Sequence, residues 1–239
     1  MSSRFLLRLV TVLLLVVAAA TAPVTFAAAS PAGGTEAVTI RFRVFALRPI
    51  ENLGFVPAPD AAPQRLEFYP TARSPEYVAA VAGPLTFVDS KTGGVVAEVM
   101  FPPNLTKALL VFVPNRPGRG AGFEVLVIDD AQGASGVGQL SILNLSGLEL
   151  HGALGRRAIR LGAGLQQLGA IRGAEKIELR ATHAGREFRA YTDQVAVRGE
   201  ERALLILFPP FYAGSLEIQG RLLVDEGADS AKNPGASGR

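Results

Sequence analysis

The chain has 239 residues, with 24 Lys and Arg against 21 Asp and Glu, two His, and neither Cys nor Trp. Zero cysteines exclude disulfide scaffolds, thiolate zinc sites, iron–sulfur clusters and cysteine nucleophiles, and two histidines leave little material for an imidazole metal site. A hydrophobic content of 49% with 19% charged residues excludes a mainly disordered chain and points to a packed core.

Residues 1–27 read as a secretory leader. Arg4 and Arg8 form a short basic region, residues 9–20 are apolar except for Thr11, and small residues accumulate up to Ala29. The apolar run is shorter than the roughly 20 residues of a spanning helix. Thr25-Phe26-Ala27 puts small residues at −3 and −1, so cleavage is expected after Ala27, with Ala29 as the second choice. The expected destination is extracytoplasmic, periplasmic or secreted, with no transmembrane span in the mature chain. Losing Arg4 and Arg8 lowers the formal charge from +3 to +1. That leaves no basic stripe of the kind nucleic-acid binding requires, so no nucleic-acid partner is expected.

From Glu36 onward the pattern is period two, the signature of half-buried strands. Val38, Ile40, Phe42 and Val44 alternate with Thr39, Arg41 and Arg43. Residues 76–82 suggest a turn or two of helix. Thr92-Gly93-Gly94 reads as a hairpin turn, followed by a strand on Val95, Ala97, Val99 and Phe101. Residues 108–113 and 125–128 are continuously apolar and too short for ordinary helices, so they read as interior strands. Residues 131–138, rich in Gly, Ala and Ser, suit a linker. Residues 161–171 are a weak helical stretch broken by Gly162, Gly164 and Gly169. Ile177, Leu179 and Ala181 start another strand, Ala184-Gly185-Arg186 a second hairpin turn, and residues 203–208 a third interior strand. Residues 227–239 are polar and read as a disordered tail.

The chain repeats itself. Lys107-Ala-Leu-Leu-Val-Phe-Val-Pro114 matches Arg202-Ala-Leu-Leu-Ile-Leu-Phe-Pro209 at an offset of 95, and Val125-Leu-Val-Ile-Asp-Asp130 matches Arg221-Leu-Leu-Val-Asp-Glu226 at 96. Leu85-Thr-Phe-Val-Asp89 corresponds loosely to Ile177-Glu-Leu-Arg-Ala181, and Val44-Phe-Ala-Leu47 to Ile142-Leu-Asn-Leu145. The expected fold is all-β: two tandem antiparallel β-sandwich units of immunoglobulin-like size, each with six or seven strands, over residues 36–130 and 139–226.

Chemistry-bearing residues are sparse. His151 and His183 stand in no nucleophile or metal-ligand arrangement, and no Gly-x-Ser-x-Gly elbow exists. The glycine-rich stretches lack nucleotide-loop spacing. No cofactor is expected. Asp129-Asp130 and Asp225-Glu226 end matched strands and are calcium candidates, with Asp89 a further carboxylate. Arg156, Arg157 and Arg160, with Arg172 nearby, are candidates for contact with an anionic polymer. Phe211-Tyr212 after Pro209-Pro210 is the best exposed aromatic pair. Asn104-Leu-Thr106 and Asn144-Leu-Ser146 match the glycosylation pattern.

The leader, the two Leu-Leu-aliphatic strands ending in Pro, and the Ile-Leu-Asn-Leu-Ser segment at 142–146 together resemble secreted β-sandwich proteins of bacteria that have no assigned activity. That resemblance implies an exported all-β protein and brings no catalytic residues with it. Periplasmic pilus chaperones are similar in length, cysteine poverty and two-domain layout. The functional expectation is a non-enzymatic binding or structural role in the cell envelope, toward a protein or an envelope polymer. The alternatives are a periplasmic chaperone acting by strand addition and a carboxylate-dependent hydrolase.

Overall fold

The computed structural model describes residues 37–115, 122–130, 138–171, 173–198, 201–212 and 214–225. The leader, most of the linker, Glu226, Arg172 and the polar tail lie outside the described residues. The chain is all-β and fits the β-sandwich class: sixteen strands make four four-stranded sheets, and no helix occurs among the described residues. None is therefore long and apolar enough to cross a membrane.

The first half contributes β1 (Val38–Ala46), β2 (Leu53–Phe55), β3 (Gln64–Arg65), β4 (Tyr77–Val81), β5 (Leu85–Asp89), β6 (Val95–Val99), β7 (Lys107–Pro114) and β8 (Phe123–Asp129). They form sheet I, in the order β3-β2-β5-β6, and sheet II, in the order β4-β1-β7-β8. The second half contributes β9 (Gln139–Asn144), β10 (Leu150–Leu154), β11 (Arg157–Leu161), β12 (Gly164–Ala170), β13 (Gly173–His183), β14 (Arg186–Val197), β15 (Arg202–Phe208) and β16 (Gln219–Asp225). They form sheet III, β12-β9-β15-β16, and sheet IV, β11-β10-β13-β14. Adding eight to every strand of sheets I and II gives sheets IV and III. The register repeats too: Val44, Leu110 and Val127 face one another across sheet II as Ile142, Leu205 and Leu222 do across sheet III.

Three apolar cores follow from this arrangement. Phe42, Val44, Leu110 and Phe112 of sheet II pack against Phe55, Leu85 and Phe87 of sheet I. Ile142, Leu205 and Leu207 of sheet III pack against Leu150, Ile177 and Leu179 of sheet IV. The opposite faces of sheets II and III meet each other through Phe45, Leu109 and Val111 on one side and Leu143, Leu204, Ile206 and Phe208 on the other. Sheets II and III are thus covered on both faces. Successive side chains of a strand point to opposite faces, so both parities of β7 and β15 must be apolar. The unbroken aliphatic runs in the sequence have that cause.

The structure corrects several expectations. Residues 76–82 hold a strand, not helical turns: Tyr77 and Ala79 pair with Phe42 and Ile40 of β1 and are buried with them. Residues 161–171 hold β12, whose glycines fit a strand with a bulge between Gln167 and Gly169. Each half has eight strands rather than six or seven; β2 and β3, of three and two residues, are too short to show a period in the sequence. Sheets II and III are not purely antiparallel, since β1–β7 and β9–β15 run parallel. Strand direction leaves no trace in apolar patterning. Residues 125–128 belong to an edge strand, and they are apolar because Val125 and Val127 face one core while Leu126 and Ile128 face another. The hairpin turns are present, with Gly93 at φ 72° and with Ala184 and Gly185 at φ 49° and 74°.

Candidate functional site

The acidic strand ends converge, though not in the alignment read from sequence. Asp225 pairs with Arg202, and the Asp130 amide donates to the carbonyl of Lys107 at 3.0 Å. Lys107 and Arg202 are equivalent, so the partner of Asp225 is Asp130 and the repeat keeps an offset of 95 there rather than 96. Both carboxylates meet Arg73. This residue precedes β4, in a segment tied to β1 where Ser74 donates its amide to the Val44 carbonyl at 3.0 Å and accepts the Val44 amide on Oγ at 2.8 Å. Arg73 Nη1 donates to Asp130 Oδ1 at 2.6 Å and pairs with Asp225 Oδ2. Arg43 Nη1 donates to Asp225 Oδ1 at 3.1 Å, and Arg202 lies 3.8 Å from Asp225 Oδ2. The side chains of Arg73 and Asp130 are only 8% and 7% exposed. Removing one partner from an ion pair this dry leaves an uncompensated buried charge.

The cluster flanks a polar cleft of about 360 Å³, bordered by Asp129, Gln139, Ser141 and Gln167. Guanidinium groups already supply the positive charge that a calcium ion would bring. No group of three or more His, Asp or Glu among the described residues is placed to hold a metal. Arg73 also occupies the space between the two carboxylates, where a substrate would sit in a carboxylate-pair hydrolase. Asp89 caps the β5–β6 turn instead: its Oδ1 accepts the amides of Lys91 at 2.7 Å and Thr92 at 3.0 Å, and these bonds hold its carboxyl below the usual range.

A second concavity, of about 580 Å³ and mostly apolar, lies where the β1–β2 and β15–β16 loops meet. Leu47, Ile50, Phe112, Phe123 and Phe208 form its floor and walls, and Phe211 stands at its rim. Phe211 and Tyr212 are 52% and 70% exposed and touch edge to face, with centroids 4.7 Å apart. The Arg48 guanidinium sits 4.6 Å from the Phe211 ring centroid and orients it by cation–π attraction. Of the aromatic pair singled out from sequence, Phe211 therefore borders this apolar hollow, and Tyr212 stands beside it against the Phe211 ring.

The arginine cluster divides. Arg157 turns toward sheet III, donating to the Leu168 carbonyl at 2.6 Å. Arg156 lies in the β10–β11 turn, and Arg160 projects from the edge strand β11 opposite His151. His151 Nε2 lies 2.9 Å from Glu187 Oε1, while His183 ends β13 in an exposed position. Asn144 is buried and fully engaged. Its Nδ2 donates to the carbonyls of Leu148 at 2.9 Å and Gly162 at 3.0 Å, and its Oδ1 accepts from Ser146 Oγ at 2.6 Å. The Asn-Leu-Ser match at 144–146 is thus a turn-building device rather than a sugar acceptor.

Sequence reasoning missed Arg43 and Arg73. Arg43 occupies a polar position of a strand that alternates, which looks solvent-facing, yet that face of β1 meets sheet III. Arg73 lies in Thr-Ala-Arg-Ser-Pro, where no pattern marks it. No protein-family profile matches the chain, and no curated protein matches it.

Proposed function

We propose that the chain is an exported, non-enzymatic binding module of the cell envelope, made of two immunoglobulin-like sandwiches locked face to face, and that it holds an extended apolar segment of an envelope protein in the loop-end groove. The leader pattern of residues 1–27 supports export. The groove carries the binding reading: large rings left in water beside an apolar hollow mark interaction surfaces. The packing of sheet II on sheet III supplies the rigidity, because it fixes loops from both halves around one hollow. Arg48 and Glu51 at the margin add polar contacts that set the orientation of a bound backbone.

Strand addition is the second use this architecture supports, and one observation favours it: β12, the edge of sheet III, exposes Leu165. Two measurements test the main reading. The mass of the protein recovered from the envelope fraction should correspond to a chain starting at residue 28 or 30. An exported protein should co-purify with the wild type and be lost from Phe211→Asp. Retention of Met1 in a cytoplasmic product, or a partner indifferent to Phe211→Asp, overturns the proposal.

A further inference from the structure

The outer face of sheet IV carries a row of three arginines and one histidine, one from each strand. Register places Arg160 of β11 beside His151 of β10, His151 beside Arg180 of β13, and Arg180 beside Arg189 of β14. Their neighbours in sequence, Leu161, Leu150, Leu179 and Ala190, point the other way into the core. With strands about 4.8 Å apart, the row spans about 14 Å across the sheet.

The row is unevenly neutralised. Glu187 pairs with His151 and Arg180, and Glu178 pairs with Lys176 and Arg180. The Lys176 and Arg180 bonds hold the Glu178 carboxyl below its usual range. The two ends of the row, Arg160 and Arg189, are exposed and have no ion-pair partner among the described residues. Beside the row on the same face, Ala153 of β10 lies next to Glu178 of β13, and shallow hollows of about 360 and 340 Å³ flank the row.

We propose that this face is a binding site for an acidic polysaccharide, a chain of hydroxyl-rich rings bearing carboxylates, lying across the strands along the Arg160–His151–Arg180–Arg189 row. Arg160 and Arg189 take carboxylates of the glycan in charge-assisted pairs. Glu178, Glu187 and the central Arg180 and His151 serve sugar hydroxyls, which both donate and accept. The small side chains of Ala153 and its neighbour Ala158 beside the row let the chain approach the sheet. The described residues of the face include no Phe or Tyr, so a neutral glycan would lack a stacking platform and bind poorly. A polyphosphate backbone would meet the carboxylates of Glu178 and Glu187 at close quarters, which disfavours nucleic acid.

Affinity electrophoresis and calorimetric titration of the full chain with polygalacturonate test this, with dextran and a duplex DNA of 20 base pairs as comparators. The expected result is retardation by polygalacturonate and not by dextran, weakened at least tenfold in Arg160→Gln/Arg189→Gln with the melting temperature unchanged. Arg65→Gln, on sheet I, should bind as the wild type does. Ala153→Glu, which puts a carboxylate beside the row, should abolish binding and serves as the second probe should the double variant fold poorly. Absence of polygalacturonate binding, retention of it in both sheet IV variants, or equally tight binding of the DNA overturns the proposal.

Discussion

Asp130, just after β8, and Asp225, the last residue of β16, hold the same place in the two halves of the molecule, and both pair with the single guanidinium of Arg73. Asp225 has two further cations, Arg43 and Arg202, whereas Asp130 has Arg73 alone among the described residues. Arg73→Met therefore leaves Asp130 charged and nearly dry. The expected loss is about 3–5 kcal/mol, the usual consequence of removing one partner from a buried pair. Asp130→Asn in the same background should restore part of it. Urea unfolding of the single and double variants measures both, and a loss for Arg73→Met below about 0.5 kcal/mol, as at exposed sites, would contradict this role.

The core between sheets II and III couples the halves. Ile206 is fully buried in that core, whereas Leu205 beside it points into the core between sheets III and IV. Ile206→Ala and Leu205→Ala should each cost about 2–5 kcal/mol. Calorimetry should show one transition that moves as a whole in both variants. A transition assignable to residues 139–225 that shifts alone would mean that the shared core contributes little.

Asn144 is expected to matter for stability and not for modification. Asn144→Ala leaves the carbonyls of Leu148 and Gly162 without their donor and should cost about 1–3 kcal/mol for the unsatisfied groups. Peptide mapping of the exported protein should find residue 144 unmodified. A glycan there would contradict the burial of the side chain.

Tyr191 sets an alkaline limit. Burial first, then the hydrogen bond from its hydroxyl to Asp193 Oδ2 at 2.8 Å and the charge of that carboxylate, push its phenol well above the ordinary value near 10; Arg221 opposes them weakly. The neutral phenol is thus favoured in the folded state. Its contribution is complete below pH about 10 and is lost as pH rises through the unfolded value toward the folded one, because only the unfolded chain ionises there. Stability should fall above pH 10, and Tyr191→Phe should flatten that fall. An unchanged slope in the variant would contradict the assignment.

Much of the framework was legible in the sequence for a physical reason. β7 and β15 stood out because strands buried on both faces leave both parities apolar, and the two hairpin turns stood out because positive φ selects Gly. β4 was misread because Tyr77-Val-Ala-Ala-Val is equally compatible with a short helix until β1 offers its edge. β12 was misread because glycines that break a helix also permit a bulged strand. Leaving out the variable loop between paired strands hid the one-residue shift that makes Asp130, not Asp129, the equivalent of Asp225. Phe211 and Tyr212 were found from sequence because Pro-Pro before aromatic residues marks a loop. The groove that Phe211 borders depends on Phe112 and Phe123 from the other half, which only the packing of sheet II on sheet III brings there.

Photo-crosslinking from position 212 tests the proposed binding site most directly. A photoreactive phenylalanine derivative replacing Tyr212 in the full chain, irradiated in cells that export it, should give one discrete adduct with an envelope protein. That adduct should vanish with Phe211→Asp and be absent when the same group replaces Arg65 on sheet I. No adduct from position 212, or one that persists in Phe211→Asp, would contradict a binding role for the groove.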